Sequence, residues 1–176
     1  MKKVAGLTIV LALALFAGSL SAQTIKELRV SAIPDENPQE MLRIYTPFAD
    51  YLTKEVGIPV KFTPVVDYAA TVEGLAANRL EMVWYGGLTS VQAAKQAKGA
   101  RRIIMRKEDA EFKSHFITRT DTGIKALGDL KGKTFSFGSV SSTSGHLMPR
   151  YFLLKNGINP DKDFSKFSFS ALMMPP

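Results

Sequence analysis

Residues 134–146 read Thr134-Phe135-Ser136-Phe137-Gly138-Ser139-Val140-Ser141-Ser142-Thr143-Ser144-Gly145-His146. A strand, Thr134 to Phe137, ends at Gly138. Hydroxyl residues then crowd a tight loop, and a helix begins near Ser144, runs to about Asn156 and stops at Gly157. Helix N-termini leave backbone N–H groups without partners and carry a positive partial charge. The hydroxyls of Ser142, Thr143 and Ser144 add directional donors, and Gly145 allows close backbone approach. Such a junction suits a tetrahedral oxyanion bound without a full positive charge. It equally suits a serine-rich turn with an ordinary N-cap, since Ser and Thr are common before helices.

The same strand-to-helix pattern extends outward in both directions. Leu28 to Ile33 reads as a strand closed by Pro34. From Gln39 to Val56 apolar residues recur at helical spacing, with Met41, Tyr45, Phe48 and Leu52 on one stripe and Leu42, Ala49 and Val56 beside it. Pro47 should kink or restart that helix, and Gly57 should end it. Val60 to Val65 reads as the next strand, and Asp67 as the cap of a helix reaching Asn78 that buries Val72, Leu75 and Ala76. A short strand, Met82 to Trp84, precedes Gly86-Gly87, after which Thr89 caps a helix reaching Lys98 and stopped by Gly99. Ile103 to Met105 and Phe112 to Thr118 read as strands, Asp121-Thr122-Gly123 as a turn, and Ala126 to Leu130 as a short helix. Strands alternating with helices predict parallel sheets covered on both faces, an α/β fold. In such folds ligands bind beyond the carboxyl ends of strands. Tyr68, just after the Val60 strand, and Tyr85, just after the Met82 strand, therefore become candidate donors, although each also reads as a packed aromatic with a satisfied hydroxyl.

The chain start predicts export. Lys2 and Lys3 precede an uncharged apolar stretch from Val4 to Leu20, and Leu20-Ser21-Ala22 fits signal-peptidase cleavage after Ala22. A membrane anchor is the rival reading; the stretch sits at the lower edge of spanning length and lacks a basic stop-transfer flank. Residues 1–22 are thus expected to be a cleavable signal peptide, and the mature protein periplasmic. No cysteine is present, which excludes disulfides, a thiol-acylated anchor and cysteine zinc sites. The net charge of +7 becomes +5 without Lys2 and Lys3. That excess is spread along the chain, so no nucleic-acid platform is expected, while a mild positive field would assist capture of a small anion.

Enzyme readings find little support. There is no G-x-S-x-G elbow for Ser142 or Ser144 to use with His146. His115 alternates with Phe116 in a predicted strand, and two histidines without a carboxylate at ligand spacing predict no metal site. No Walker A or dinucleotide fingerprint occurs, so no cofactor is expected.

The series Asp67-Tyr68-Ala69, Val83-Trp84-Tyr85-Gly86, Asp129-Leu130-Lys131-Gly132-Lys133-Thr134-Phe135 and Ser142-Thr143-Ser144-Gly145 resembles, over about Leu28 to Ser170, the phosphate/phosphite/phosphonate-binding proteins. These are the PhnD-like group of periplasmic type II solute-binding proteins. The Ser-Thr-Ser-Gly run after a Phe-Gly strand end is the most specific part of the likeness. The resemblance implies two lobes of mixed or parallel sheet flanked by helices, closing on ligand by hinge motion. It implies that Ser142, Thr143 and Ser144 hold phosphorus-bound oxygens, that Tyr68 donates a further hydrogen bond, and that Tyr85 lines the cleft. Many members carry a tyrosine near the start of the strand that begins here at Phe112, so a hydroxyl donor is lost and the wall is more apolar. That change would favour phosphite, methylphosphonate or phosphate over an aminoalkyl phosphonate.

The expected organisation is a first lobe over 24–110, the start of a second over 111–170, and an aberrant tail over 171–176. In the family a loop bearing a histidine and an aspartate follows the strand that here reads Phe167 to Ser170. Here Met173-Met174-Pro175-Pro176 follows instead and resembles a frameshifted tail, which would leave the second lobe incomplete. The implied role is the solute-binding component of an ABC importer, monomeric when full length, delivering a small phosphorus oxyanion to an inner-membrane permease. A sensor input domain and a periplasmic phosphoester hydrolase are the alternatives.

Overall fold

The computed structural model describes residues 25–170; the expected signal peptide and the expected aberrant tail lie outside the described residues. Two parallel sheets organise the chain. The first contains β1 (Leu28–Ala32), β2 (Val60–Phe62) and β3 (Met82–Trp84) in the order β2-β1-β3. Val30 pairs with Phe62 on one side and with Met82 on the other. The second sheet pairs β4 (Thr134–Phe137) with β5 (Lys166–Phe169), Phe135 standing opposite Phe167. The α/β expectation is met, and parallel strands joined through helices follow from it.

The helix α1 (Pro38–Val56) covers the first sheet. Asn37 caps it, accepting from the Gln39 and Glu40 N–H groups at 3.1 Å, and Gly57 ends it with a φ of +71°. Pro47 does not restart the helix, which runs through as one element. Pro47 lies on the exposed face, where water can satisfy the carbonyl that its missing N–H leaves free. The core beneath α1 joins Val30, Ala32, Met41, Ala49, Val60 and Phe62, and Tyr45 stacks on Phe62 with ring centroids 4.6 Å apart. Phe48, Leu42 and Val56, expected on the apolar side, are instead exposed.

Asp67 caps α2 (Tyr68–Ala76) by accepting from Ala70 N–H at 2.7 Å. Val72 is buried as expected, but Leu75 is half-buried and Ala76 exposed, because the helix ends two residues sooner than Asn78. The helix α3 (Gly87–Gln96) starts before Thr89; Gly86 is its N-cap, and Thr89 is buried within the first turn. In the second unit a π turn over Thr143–Leu147 leads into α4 (Met148–Lys155), so the single helix expected from Ser144 opens with a wider coil. A one-turn helix, α5 (Pro160–Asp163), precedes β5. Leu130, Phe137, Leu153, Ile158 and Phe164 form the core here.

The strands expected at Ile103 to Met105 and Phe112 to Thr118 are absent. The segment between the sheets carries three 3-10 turns, Lys107–Glu111, Thr120–Thr122 and Leu127–Leu130, and is otherwise irregular. No described strand lies beside it to complete a ladder, and Ile103, Ile104 and Ile117 are more than three-quarters exposed. A β-branched run without a pairing partner stays out of a sheet.

Candidate oxyanion site

The carboxyl ends of β1 and β3, the start of α2 and the π turn after β4 converge on one cavity of about 570 Å³. Of the residues singled out in the sequence, Tyr68, Tyr85, Ser142, Thr143 and Ser144 all line it. Phe112 lines it too, with the apolar ring expected there. A second, more open groove of about 610 Å³ runs past His115 and β4, away from the serine-rich turn.

The turn that presents the hydroxyls is held by a close backbone contact. Gly138 N–H donates to the Gly145 carbonyl at 2.8 Å. A Cβ on Gly138 would stand 3.0 Å from the Gly145 Cα, and one on Gly145 would stand 3.0 Å from both the Gly138 Cα and the Ser142 Oγ. Both positions therefore require glycine for space rather than for φ. With the turn so closed, Ser142 Oγ accepts from Gly145 N–H at 3.0 Å and is buried. Thr143 Oγ1 accepts from Leu88 N–H at 2.7 Å, tying the π turn to the N-terminus of α3. Each hydroxyl has thus committed a lone pair to a backbone donor, which leaves its own O–H to be given away.

Tyr68 is 2% exposed, and its phenolic oxygen is buried without a hydrogen bond of good geometry. Burial, followed by the neighbouring Asp35 charge, pushes its hydroxyl up to about 12, so it is a neutral donor at any physiological pH. Tyr85 differs. Its hydroxyl donates to the Thr71 carbonyl at 2.8 Å, so it contributes an aromatic wall whose polar end is satisfied within the fold. Ser144 is half-buried at the cavity edge.

His146 does not face the serines. Its Nδ1 bonds the Val140 carbonyl at 2.8 Å, and its ring packs edge-on against Phe137 and Phe169. Since a carbonyl only accepts, Nδ1 carries the proton. No group of three or more His, Asp or Glu able to hold a metal occurs among the described residues.

Asp35 and Arg106 are among the cavity residues that the sequence reading did not single out. Asp35 follows Pro34 at the carboxyl end of β1, and the rule that directed attention to strand ends applies there as well. Arg106 lies over the Trp84 ring, 5.2 Å from its centroid, and holds Asp109 with hydrogen bonds of 2.7 and 3.1 Å. Nothing in the local sequence signals the contact with Trp84.

Comparison with known proteins matches this chain to a family. A family model described as the phosphonate periplasmic substrate-binding protein of an ABC transporter covers residues 30–172. The chain is 41% identical over 139 residues to a probable ABC transporter phosphite-binding protein, PhnD1, of Prochlorococcus marinus, covering 76% of this chain and 47% of that one. It is 31% identical over 148 residues to the phosphonates-binding periplasmic protein of Escherichia coli, covering 80% and 44%. The structure of Prochlorococcus PhnD1 in complex with methylphosphonate superposes with a TM-score of 0.70 at 36% identity, covering 84% of this chain and 57% of that one. The chain spans about half the length of the curated relatives it matches. The chain belongs to the periplasmic phosphonate-binding family of ABC-transporter substrate-binding proteins.

Proposed function

We propose that this chain carries the anion-binding part of a periplasmic solute receptor that captures a small phosphorus oxyanion and hands it to an ABC permease. The observation that carries the reading is the set of neutral donors around one cavity. Ser142 and Thr143 each accept one backbone N–H, from Gly145 and Leu88, with the O–H of each still to be donated, and the buried Tyr68 hydroxyl lacks an ordinary hydrogen bond. Buried donors without acceptors cost free energy, and an oxyanion supplies the acceptors through charge-assisted bonds. In this reading Ser142, Thr143, Ser144 and Tyr68 contact the phosphorus-bound oxygens, and Tyr85 closes the wall. A first lobe over residues 24–110 and the start of a second over 111–170 form the two sides of the cleft. The names of the relatives, which bind phosphite and phosphonates, support a ligand of that class. The apolar Phe112 ring favours small members such as phosphite or methylphosphonate over those bearing an amino group.

The role is capture without covalent chemistry. A serine hydrolase would need His146 to serve Ser142 or Ser144, and its protonated nitrogen is instead turned to Val140. Export to the periplasm, release to an inner-membrane permease and a monomeric receptor complete the proposal.

Isothermal titration of this chain with methylphosphonate, phosphite and phosphate tests the reading. Saturable binding is expected, and Ser142→Ala with Thr143→Ala should weaken it roughly a hundredfold or more, since each charge-assisted bond contributes about 1.5–3 kcal/mol. Unchanged affinity in a folded double variant would remove the turn from the site.

A further inference from the structure

The serine-rich turn is braced from behind by a histidine that does not line the cavity. His146 sits in the π turn Thr143–Leu147 and directs its Nδ1–H back across the loop to the Val140 carbonyl at 2.8 Å. That bond spans the stretch whose middle carries Ser142, Thr143 and Ser144. The ring itself is wedged against the end of the second sheet. It meets Phe137, the last residue of β4, edge-on at 5.2 Å between centroids, and Phe169, the last residue of β5, at 4.8 Å. Its Nε2 is inaccessible to solvent and has no hydrogen-bond partner among the described residues. The imidazole therefore makes its polar contact at Nδ1, and that contact goes to the loop.

The arm of the loop that leads into Ser142 is otherwise held only from within. Ser142 N–H donates to the Ser139 carbonyl at 2.8 Å, and Ser141 N–H reaches Ser139 Oγ at 3.4 Å. Val140 is 57% exposed, so packing does little to fix it. The His146 bond ties this arm to the start of the helical turn, and the ring contacts tie that turn to the sheet. A loop ordered before its ligand arrives draws no ordering cost from the binding free energy. We propose that His146 is a positioning residue of the oxyanion site: it fixes the loop in the shape that presents the Ser142, Thr143 and Ser144 hydroxyls together, without touching the ligand. The inference rests on the anion-binding reading above. The ring holds the turn against the sheet and so serves stability, whereas the N–H holds the arm and so serves affinity. Because the tie acts on the loop, its loss weakens every oxyanion by a similar factor and leaves their order unchanged.

Two variants separate these duties. His146→Phe keeps a ring between Phe137 and Phe169 and removes the donor. His146→Asn removes the ring and keeps an amide N–H where Nδ1 stood. Calorimetric titration of each with methylphosphonate, phosphite and phosphate, alongside thermal melts, is the test. His146→Phe should melt near the unaltered chain and bind all three anions about tenfold more weakly, one hydrogen bond's worth. His146→Asn should melt lower yet bind within about threefold of the unaltered chain, since the donor remains. A further check needs no variant: nitrogen–proton correlation NMR of the ligand-free chain, whose histidines are His115 and His146, should show His146 in the Nδ1–H form. The Nε2–H form overturns the proposal and leaves the function standing. So does a His146→Phe variant that binds as the unaltered chain does, or a His146→Asn variant that loses as much affinity as His146→Phe. A loss confined to one anion overturns it too, since that outcome makes His146 a direct ligand. Absence of binding of all three anions by the unaltered chain overturns the function itself, and this proposal with it.

Discussion

Thr143 Oγ1 accepts the Leu88 N–H at 2.7 Å, joining residues 55 positions apart that follow strands of different sheets. The threonine of the proposed anion turn is thereby seated on the opening of α3. The two glycines before Leu88 make room for it: a Cβ on Gly87 would stand 3.3 Å from Thr143 Oγ1 and 3.5 Å from its Cγ2, and one on Gly86 would stand 3.6 Å from the same hydroxyl. Gly86 and Gly87 read in the sequence as a strand breaker; their spacing role depends on a partner from a remote loop.

Thr143→Val should therefore act on stability as well as on the ligand. Valine keeps the shape but leaves the Leu88 N–H without an acceptor, at a cost of about 1–2 kcal/mol. Gly87→Ala should act in the same direction by pushing the threonine away. Urea unfolding of both variants measures this, and the two changes together should cost less than their sum, because they break the same contact. Strict additivity would show that the hydroxyl and the glycine do not depend on each other.

Tyr68 and Tyr85 looked alike in sequence, each an aromatic at a strand end, and the structure separates them. Tyr85→Phe removes a donor from the Thr71 carbonyl, so it should lower stability by about 1 kcal/mol while leaving methylphosphonate affinity unchanged. Tyr68→Phe removes a buried hydroxyl without a good partner, so it should leave stability nearly unchanged or raise it, and weaken the anion about tenfold. Paired melts and titrations of the two variants decide the matter. Equal losses of affinity would return Tyr85 to the set of direct ligands.

What was legible in the sequence follows from what is local. β3 and β4 lie at the bounds expected for them: Gly138 directly follows β4, and Gly86 comes two residues after the end of β3. Asp67, Gly57 and Gly157 mark helix ends by their own side chains or φ values. β2 stops at Phe62 rather than Val65 because Pro64 has no N–H to continue the ladder. The segment from Ile103 to Thr118 misled for a different reason: its composition suits a strand, but a strand is a property of two segments, and no described neighbour pairs with it. The same limit hid Asp35. Strand-end logic places many residues near a cleft, yet only the assembled fold sets the Asp35 carboxyl beside the Tyr68 hydroxyl.

The Asp35 carboxyl should be measurable without ligand. Burial raises the Asp35 carboxyl above its ordinary value, ahead of the lowering influences of Tyr68 and Arg106. The folded chain then holds the Asp35 proton more tightly than the unfolded chain does. Stability contributed by that proton is complete below the ordinary value of 3.8 and is lost as pH rises through the raised folded value. At neutral pH the folded protein therefore bears a half-buried charge that it would be more stable without. Asp35→Asn should raise the melting temperature at pH 7, and the gain should shrink as the pH approaches 4. Because Asp35 also helps to hold Tyr68 at about 12, the same variant should let a tyrosinate absorbance appear at lower pH. Thermal melts between pH 4 and 8 and a spectrophotometric tyrosine titration above pH 9 read both effects. A variant that melts lower than the parent at pH 7 would mean that Asp35 has a stabilising partner, and that its charge is built into the fold rather than kept for a ligand.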